Sequence, residues 1–141
     1  MNLNPSRFLA LLLLPLLCHA ASSPTPAYSP DRPLREVATL LMTWHDLARD
    51  RDIPVKIYYP ANAKSPCPLI IFSHGLGGTR EGYAYLGEHW AGCGYISVHL
   101  QHIGSDDAVW RGAGVAAYAQ LTRAVNDPVN ALNRAKDVTF A

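Results

Sequence analysis

The chain has 141 residues, of which 49% are hydrophobic and 16% charged, and twelve Lys and Arg against eleven Asp and Glu give a formal net charge of +1. This length and composition are typical of a single globular domain. With charges so evenly balanced, no basic stripe is available to neutralise a phosphate backbone, so the sequence argues against nucleic-acid binding.

The first twenty residues have the build of a secretory signal peptide. Arg7 supplies a positive charge, residues 8–17 form an apolar run, and the small residue Ala20 follows. We expect cleavage after Ala20 and export from the cytoplasm. Ten apolar residues are too few to span a bilayer, so no stable membrane anchor is expected. Acylation of Cys18 as a lipoprotein is the alternative, and the bulky Leu17 before it argues against that processing.

A linker is predicted at residues 21–33, which contain four prolines and cannot bury enough apolar surface to order themselves. The folded domain is expected to occupy residues 34–141. Residues 36–45 and 53–59 are rich in β-branched, apolar and aromatic side chains, and the segment between them carries five charges in seven positions. Strand, polar turn and strand predict an antiparallel pair at the start of the domain.

A parallel βαβ unit is predicted next. Residues 69–72 are apolar at every position, which favours a strand covered on both faces. A glycine-rich turn at residues 73–78 follows, and Thr79 is a candidate cap for the next helix. Tyr83, Leu86 and Trp90 have helical spacing, Gly92 and Gly94 predict the end of this helix, and residues 95–100 predict the second strand.

The remaining chain predicts a polar loop at residues 101–112 and a helix at residues 115–125. Residues 126–134 contain Asp, Pro and three Asn in an irregular pattern, so no element is predicted there. Residues 136–141 have the pattern of the first turns of a further helix. We therefore expect the chain to be the N-terminal portion of a longer protein.

This order of elements, with a His-Gly turn after the first parallel strand, resembles the α/β-hydrolase fold. The resemblance covers residues 36–141 and is strongest to bacterial relatives of platelet-activating-factor acetylhydrolase and dienelactone hydrolase. It implies an α/β fold with the N-terminal part of a hydrolase sheet, and a bacterial protein that acts in the periplasm or the medium. The segments that carry the resemblance are residues 44–46, 53–60, 69–78, 82–83, 94–95 and 102–106.

The resemblance implies that the loop after the first parallel strand is an oxyanion loop. In such families the residue after His-Gly, here Leu76, donates its backbone N–H to the negatively charged oxygen of an ester transition state. His74 would brace the loop through its ring, and Gly75 would let the backbone approach the ligand. Glycines at 75, 77 and 78 are expected to supply positive φ angles.

A nucleophile is not found in the 141 residues. The G-x-S-x-G pattern of the fold is absent, and the resemblance places the nucleophile, acid and base later in the chain. Ser73 and Ser105 are poor candidates, because the first precedes the loop and the second lacks the closing glycine. His99 and His102 are three apart with no third ligand at suitable spacing, so no metal site is expected. The resemblance implies no organic cofactor either.

Further expectations concern side-chain pairs and the activity. His45 and Asp46 are interpreted as a junction between strand and turn, and Trp110 with its polar loop as either the lining of a substrate cleft or plain surface. In the implied fold Cys67 and Cys93 precede neighbouring parallel strands by two residues each, which favours a disulfide.

The implied activity is hydrolysis of a small-molecule or lipid carboxylic ester by a serine nucleophile. A cysteine nucleophile, as in dienelactone hydrolase, and a non-catalytic fragment remain alternatives.

Overall fold

The structure, a computed structural model, describes residues 34–141. The predicted signal peptide and the predicted linker, residues 1–20 and 21–33, lie outside the described residues. Within residues 34–141, no helix combines the length and the apolar character that crossing a bilayer demands.

Two long antiparallel strands open the domain. They are β1 (Val37–Asp46) and β2 (Arg51–Pro60), and they are joined by a short turn. Asp50 in this turn has a φ angle of 48°, a left-handed conformation that Asp adopts more readily than most residues. The predicted antiparallel pair is confirmed, with strand ends that differ by one or two residues.

The predicted parallel crossover is confirmed as well. It consists of β3 (Leu69–Ser73), α1 (Ala84–Gly92) and β4 (Ile96–Leu100). β4 also pairs antiparallel with β2, so the order of the four described strands is β1-β2-β4-β3. β3 lies at one edge of this sheet, with Leu69 54% exposed. Its centre is nevertheless covered on both faces as expected, because Ile71 packs against the buried apolar cluster on one face and Phe72 contacts Trp90 of α1 on the other.

Helix α1 begins later than its apolar spacing predicted. The hydroxyl of Thr79 accepts a hydrogen bond from the backbone N–H of Glu81 at 3.1 Å and stabilises a turn instead of capping the helix. Tyr83 has a left-handed φ of 59° and is the residue before the helix, so it does not extend the helical face of Leu86 and Trp90.

Two further α-helices follow β4, namely α2 (Ala117–Asn126) and α3 (Pro128–Phe140), after two short 3₁₀ helices at Asp107–Val109 and Gly114–Ala116. The prediction that residues 126–134 are irregular is wrong. Asp127 caps α3 by accepting a hydrogen bond from Val129 N–H at 2.8 Å, and proline is well suited to the first turn that follows. Residues 136–140 are consequently the last turns of α3 and not the start of a helix.

The sheet packs on both faces. Ile53, Val55, Val98 and Leu100 form a buried apolar cluster on one face, where Ala141 at the end of α3 packs against it. On the other face α1 covers the sheet, and Gly87 contacts the ring of the buried Tyr58. Close approach of helix and sheet thus depends on a residue without a side chain at this point.

The predicted disulfide is wrong for this structure, because both cysteines are free. Cys67 and Cys93 would lie opposite each other only if Leu69 paired with Tyr95. The observed register pairs Leu69 with Ile96 instead. Cys93 is also the C-cap of α1, so it has not yet entered β4. Its sulfur lies 3.7 Å from Nε2 of His89.

Candidate active site

The loop after β3 is organised around the buried ring of His74. The backbone N–H of His102 donates to Nε2 of His74 at 3.0 Å, so this nitrogen is the acceptor and Nδ1 carries the proton. Nδ1 then donates to the carbonyl oxygen of Gly75 at 2.6 Å. Both ring nitrogens are therefore used for holding backbone, and neither is free to accept a proton from a substrate.

Burial keeps this ring neutral. Removal from water lowers the pKa of His74 below its ordinary value of 6.5, and the positive charge of Arg134 lowers it further. The bond to Gly75 opposes this shift without reversing it. A neutral ring is also what the two hydrogen bonds require, because a protonated ring could not accept from His102.

The peptide between Gly75 and Leu76 is held by its carbonyl end. Gly75 O accepts hydrogen bonds from the His74 ring and from the backbone N–H of Gly78, the latter at 3.1 Å. In a trans peptide the N–H points away from the C=O, so anchoring the carbonyl also fixes the direction of the Leu76 N–H. This N–H meets no hydrogen-bond acceptor within residues 34–141.

Gly77 fixes the far end of the loop. Its N–H donates to Ser105 O at 2.8 Å, and its carbonyl accepts from the indole N–H of Trp110 at 2.8 Å. Its φ angle is 72°, whereas Gly75 and Gly78 do not have positive φ angles. The expectation of positive φ at all three glycines is therefore correct only for Gly77. Gly78 is required for a different reason: the side chain of His74 lies so near that a Cβ at position 78 would be 3.0 Å from Cβ of His74.

A cavity of about 240 Å³ lies beside the loop. Leu76 contributes to its wall and is 43% exposed. Four of the lining side chains are apolar and three are polar, including the charged Arg134, and apolar walls with a few polar groups are usual in a small-molecule site. The remaining lining residues are Ser105, Ala124, Val125, Asn130, Ala131 and Arg134.

Behind the loop lies a second, buried hydrogen-bonded array centred on His102. Nδ1 of its ring lies 3.0 Å from Oδ2 of Asp137, and Nε2 lies 2.8 Å from Oγ of Ser73. A carboxylate can only accept, so Nδ1 donates to Asp137 and the Ser73 hydroxyl donates to Nε2. Burial lowers the pKa of His102, and the bond to Asp137 only partly offsets this effect.

Asp137 is fully buried and neutralised by two arginines. Arg49 donates to Oδ1 at 2.8 Å, and Arg51 donates to both carboxylate oxygens at 2.9 and 3.1 Å. Burial alone would raise the pKa of this carboxyl, but the hydrogen bonds from Arg51, His102 and Arg49 outweigh it and hold the pKa below 3.8. Asp137 is thus a carboxylate that links the β1–β2 turn to α3.

Arg134, one turn before Asp137 on α3, contacts the loops after β3 and β4. Its guanidinium donates to Ser73 Oγ at 3.0 Å, to Ser105 Oγ at 2.9 Å and to the carbonyl oxygen of His74. All three acceptors are uncharged, and within the described part of the chain no carboxylate forms an ion pair with this side chain. Neither Arg134 nor Asp137 was among the predicted site residues.

The other candidates of the sequence are placed elsewhere. The hydroxyl of Ser105 is buried, and His99 is enclosed by the rings of Tyr58, Phe72 and Trp90 at 4.9, 4.5 and 6.4 Å. Among residues 34–141, no three His, Cys, Asp or Glu side chains are grouped to hold a metal ion.

The junction between strand and turn is built as interpreted. His45 Nδ1 bonds to Asp52 at 2.7 Å, whereas Asp46 accepts from Arg49, so these neighbours do not form a pair with each other. The pKa of His45 is raised by its bond to Asp52. Both partners of that bond are exposed, which is unlike a catalytic pair.

Comparison with known families decides where the chain belongs. The family described as platelet-activating factor acetylhydrolase, isoform II, matches residues 35–113, more than half of the chain. The chain belongs to this family. Membership confirms the predicted α/β-hydrolase relationship and places this platelet-activating factor acetylhydrolase relative among esterase-like hydrolases.

Solved structures of two esterases match part of this acetylhydrolase-family chain. An acetyl xylan esterase from Paenibacillus sp. R4 is 23% identical with a TM-score of 0.44, and the match covers 55% of this chain and 24% of that chain. A ferulic acid esterase from Streptomyces cinnamoneus is 21% identical with a TM-score of 0.42, covering 58% and 37% respectively. The matches therefore span about a quarter of the first protein and more than a third of the second. Comparison with curated protein sequences finds no match.

Proposed function

We propose that the chain is the oxyanion-loop portion of a larger hydrolase of carboxylic esters, with Leu76 N–H as one of the two donors to the oxyanion. The observation that carries this proposal is the anchored Gly75–Leu76 peptide. Its carbonyl accepts from two donors, while its N–H has no acceptor among the described residues and Leu76 lines a cavity. An unpaired, pre-oriented donor beside a cavity is the physical requirement of an oxyanion hole.

The chemistry follows from the charge that develops during acyl transfer. A serine supplied by a later part of the protein attacks the ester carbonyl, and the carbonyl oxygen becomes negative. The Leu76 N–H donates to this oxygen, and hydrogen bonds to the carbonyl of the same peptide strengthen the donor by polarising it. His74 stays neutral and holds the loop, because both of its ring nitrogens are engaged.

Small-molecule or lipid esters are the proposed substrates. The family supports an ester, and the apolar part of the cavity wall beside Leu76 supports contact with an apolar acyl group. A serine and a cysteine nucleophile are both compatible with this loop, because either attack generates the same oxyanion. The proposal requires neither a metal ion nor an organic cofactor.

The test removes the Leu76 N–H from the full-length protein that contains this chain. Leu76→Pro deletes the backbone N–H, and Leu76→Ala is the matched control that keeps it and shortens the side chain. We expect kcat for p-nitrophenyl acetate to fall about 10²- to 10³-fold in the proline variant and to stay within a few-fold in the alanine variant. Circular dichroism and the thermal midpoint establish that both variants are folded.

Equal activity of the two folded variants would contradict the proposed role of Leu76. The same assay on the 141-residue chain alone tests the non-catalytic alternative for this fragment. The open edge of β3 supports the expectation that the isolated chain aggregates readily and does not hydrolyse the ester. Turnover by the soluble isolated chain would show that the nucleophile lies within these residues.

A further inference from the structure

The buried array behind the loop has the connectivity of a Ser-His-Asp relay. Ser73, His102 and Asp137 are joined by hydrogen bonds of 2.8 and 3.0 Å, and the hydroxyl is at the exposed end. Such an array performs nucleophilic catalysis in some hydrolases, so two roles are to be compared for it. It is either a nucleophile with its base, or a support for the neighbouring oxyanion loop.

Three features of the array oppose nucleophilic attack by Ser73. The guanidinium of Arg134 donates to its oxygen, which occupies one of the two electron pairs of that oxygen and draws electron density away from it. Arg49 and Arg51 neutralise Asp137, so this carboxylate stabilises a protonated imidazole less than an unpaired one would. Burial also lowers the pKa of His102, which makes the ring a weaker base.

The same contacts lead directly to the oxyanion loop. Asp137 and Ser73 fix the ring of His102 at both nitrogens, and the backbone N–H of His102 donates to the His74 ring, which in turn holds Gly75 O. Arg134 reaches the preceding peptide by donating to His74 O. The two routes therefore restrain two consecutive peptides of the loop.

We propose that Arg134, His102 and Asp137 are positioning residues that hold the His74–Gly75 segment so that the Leu76 N–H stays aimed at the oxyanion. This proposal rests on the proposed function. Helix α3 is the element that delivers the restraint, because Arg134 and Asp137 are three residues apart on one face. Ser73 serves as a hydrogen-bond bridge between Arg134 and His102 and does not form an acyl-enzyme.

The experiment uses Arg134→Gln and Arg134→Lys in the full-length protein, with Arg123→Gln as the matched control. Arg123 is an exposed arginine on α2 without a hydrogen bond or ion pair in the described part of the chain. Deuterium exchange of a peptide covering residues 74–78 and steady-state kinetics with p-nitrophenyl acetate are measured on the same samples. Labelling with a fluorophosphonate, located by mass spectrometry, reports the nucleophile.

We expect Arg134→Gln to accelerate exchange in the loop about 10-fold or more and to lower kcat about 10- to 100-fold with little change in KM. Lysine restores one of the hydrogen bonds, so Arg134→Lys should lie between the glutamine variant and the wild type. Arg123→Gln should match the wild type in both measurements. The fluorophosphonate should leave Ser73 unmodified.

Labelling of Ser73 would overturn the proposal in favour of a relay, and so would an Arg134→Gln variant with unchanged exchange and unchanged kcat. Faster exchange with unchanged kcat in an active enzyme would also overturn it, because the restraint would then not serve catalysis. A wild-type protein without esterase activity would instead refute the proposed function, while the exchange measurement would still report whether Arg134 holds the loop.

Discussion

At position 77 the loop should not tolerate a single added methyl group. The φ angle of Gly77 is 72°, and a Cβ would lie 2.8 Å from the indole nitrogen that donates to its own carbonyl. We expect Gly77→Ala to lower the free energy of unfolding by about 1–3 kcal/mol through backbone strain and the displaced Trp110. Chemical denaturation of the two proteins measures this difference.

Gly75 provides the matched control two residues earlier. A Cβ at Gly75 has no atom within 4 Å, and its φ angle is not positive. We therefore expect Gly75→Ala to change the free energy of unfolding by no more than about 0.5 kcal/mol. Equal destabilisation at both positions would show that the loop conformation differs from the one described. The glycines at 75, 77 and 78 located this loop, but their positions in the sequence do not reveal which of them needs a positive φ.

Site residues distant in the sequence were harder to predict than the loop. His74 and Gly75 stand out because they follow an apolar strand directly. The partner of the His74 ring is a backbone N–H 28 residues later, and that contact exists only because β3 and β4 pair with Ser73 opposite Leu100. The spacing of residues within a segment does not determine the register between two strands, so this hydrogen bond could not be predicted from the sequence.

At the scale of elements, α3 is where sequence reasoning failed. Asn126, Asn130 and Asn133 weaken the helical pattern, and a proline suggested an interruption. The same proline follows Asp127, and together they form a helix start of the kind favoured by capping and by the fixed φ of proline. Recognising this start would have placed Arg134 and Asp137 on one helical face.

The cap of α3 gives a prediction at this scale. Asp127→Ala removes the acceptor of Val129 N–H and should lower the free energy of unfolding by about 1 kcal/mol. Asp127→Ser retains an acceptor and should stay close to the wild type. Thermal unfolding followed by circular dichroism separates the two variants. If alanine and serine behaved alike, the side chain of Asp127 would not be the cap.

For the molecule as a whole, alternating and continuous apolar runs were sufficient to predict two antiparallel strands and a parallel crossover. They could not predict which polar side chains are enclosed between the layers. His74, His99 and His102 are all buried, and for each of them burial lowers the pKa below 6.5. These histidines are neutral in the native state and bind protons more readily in the unfolded chain, so the free energy of unfolding depends on pH.

The sign of this coupling is set by which state binds more protons. Below pH 6.5 these three histidines are protonated in the unfolded chain and remain neutral in the fold until the pH reaches their lowered pKa values. The free energy of unfolding should therefore fall as the pH drops below 6.5, by at most about 1.4 kcal/mol per pH unit for each proton. The raised pKa of the exposed His45 acts in the opposite direction.

His99 allows this dependence to be tested without disturbing the loop. Neither ring nitrogen of His99 has a hydrogen-bond partner within the described residues; the Gly82 backbone lies near but not in bonding geometry. Because aromatic rings surround His99, the substitution His99→Phe should preserve the packing. It also removes one of the three buried histidines that take up a proton when the chain unfolds at low pH. We expect the free energy of unfolding, measured by urea denaturation, to fall less between pH 7 and pH 5 in this variant than in the wild type. His45→Gln is the control, and it should not reduce the dependence of the free energy of unfolding on pH. Equal losses of stability in the wild type and His99→Phe over this range would show that His99 takes up a proton as readily in the fold as in the unfolded chain.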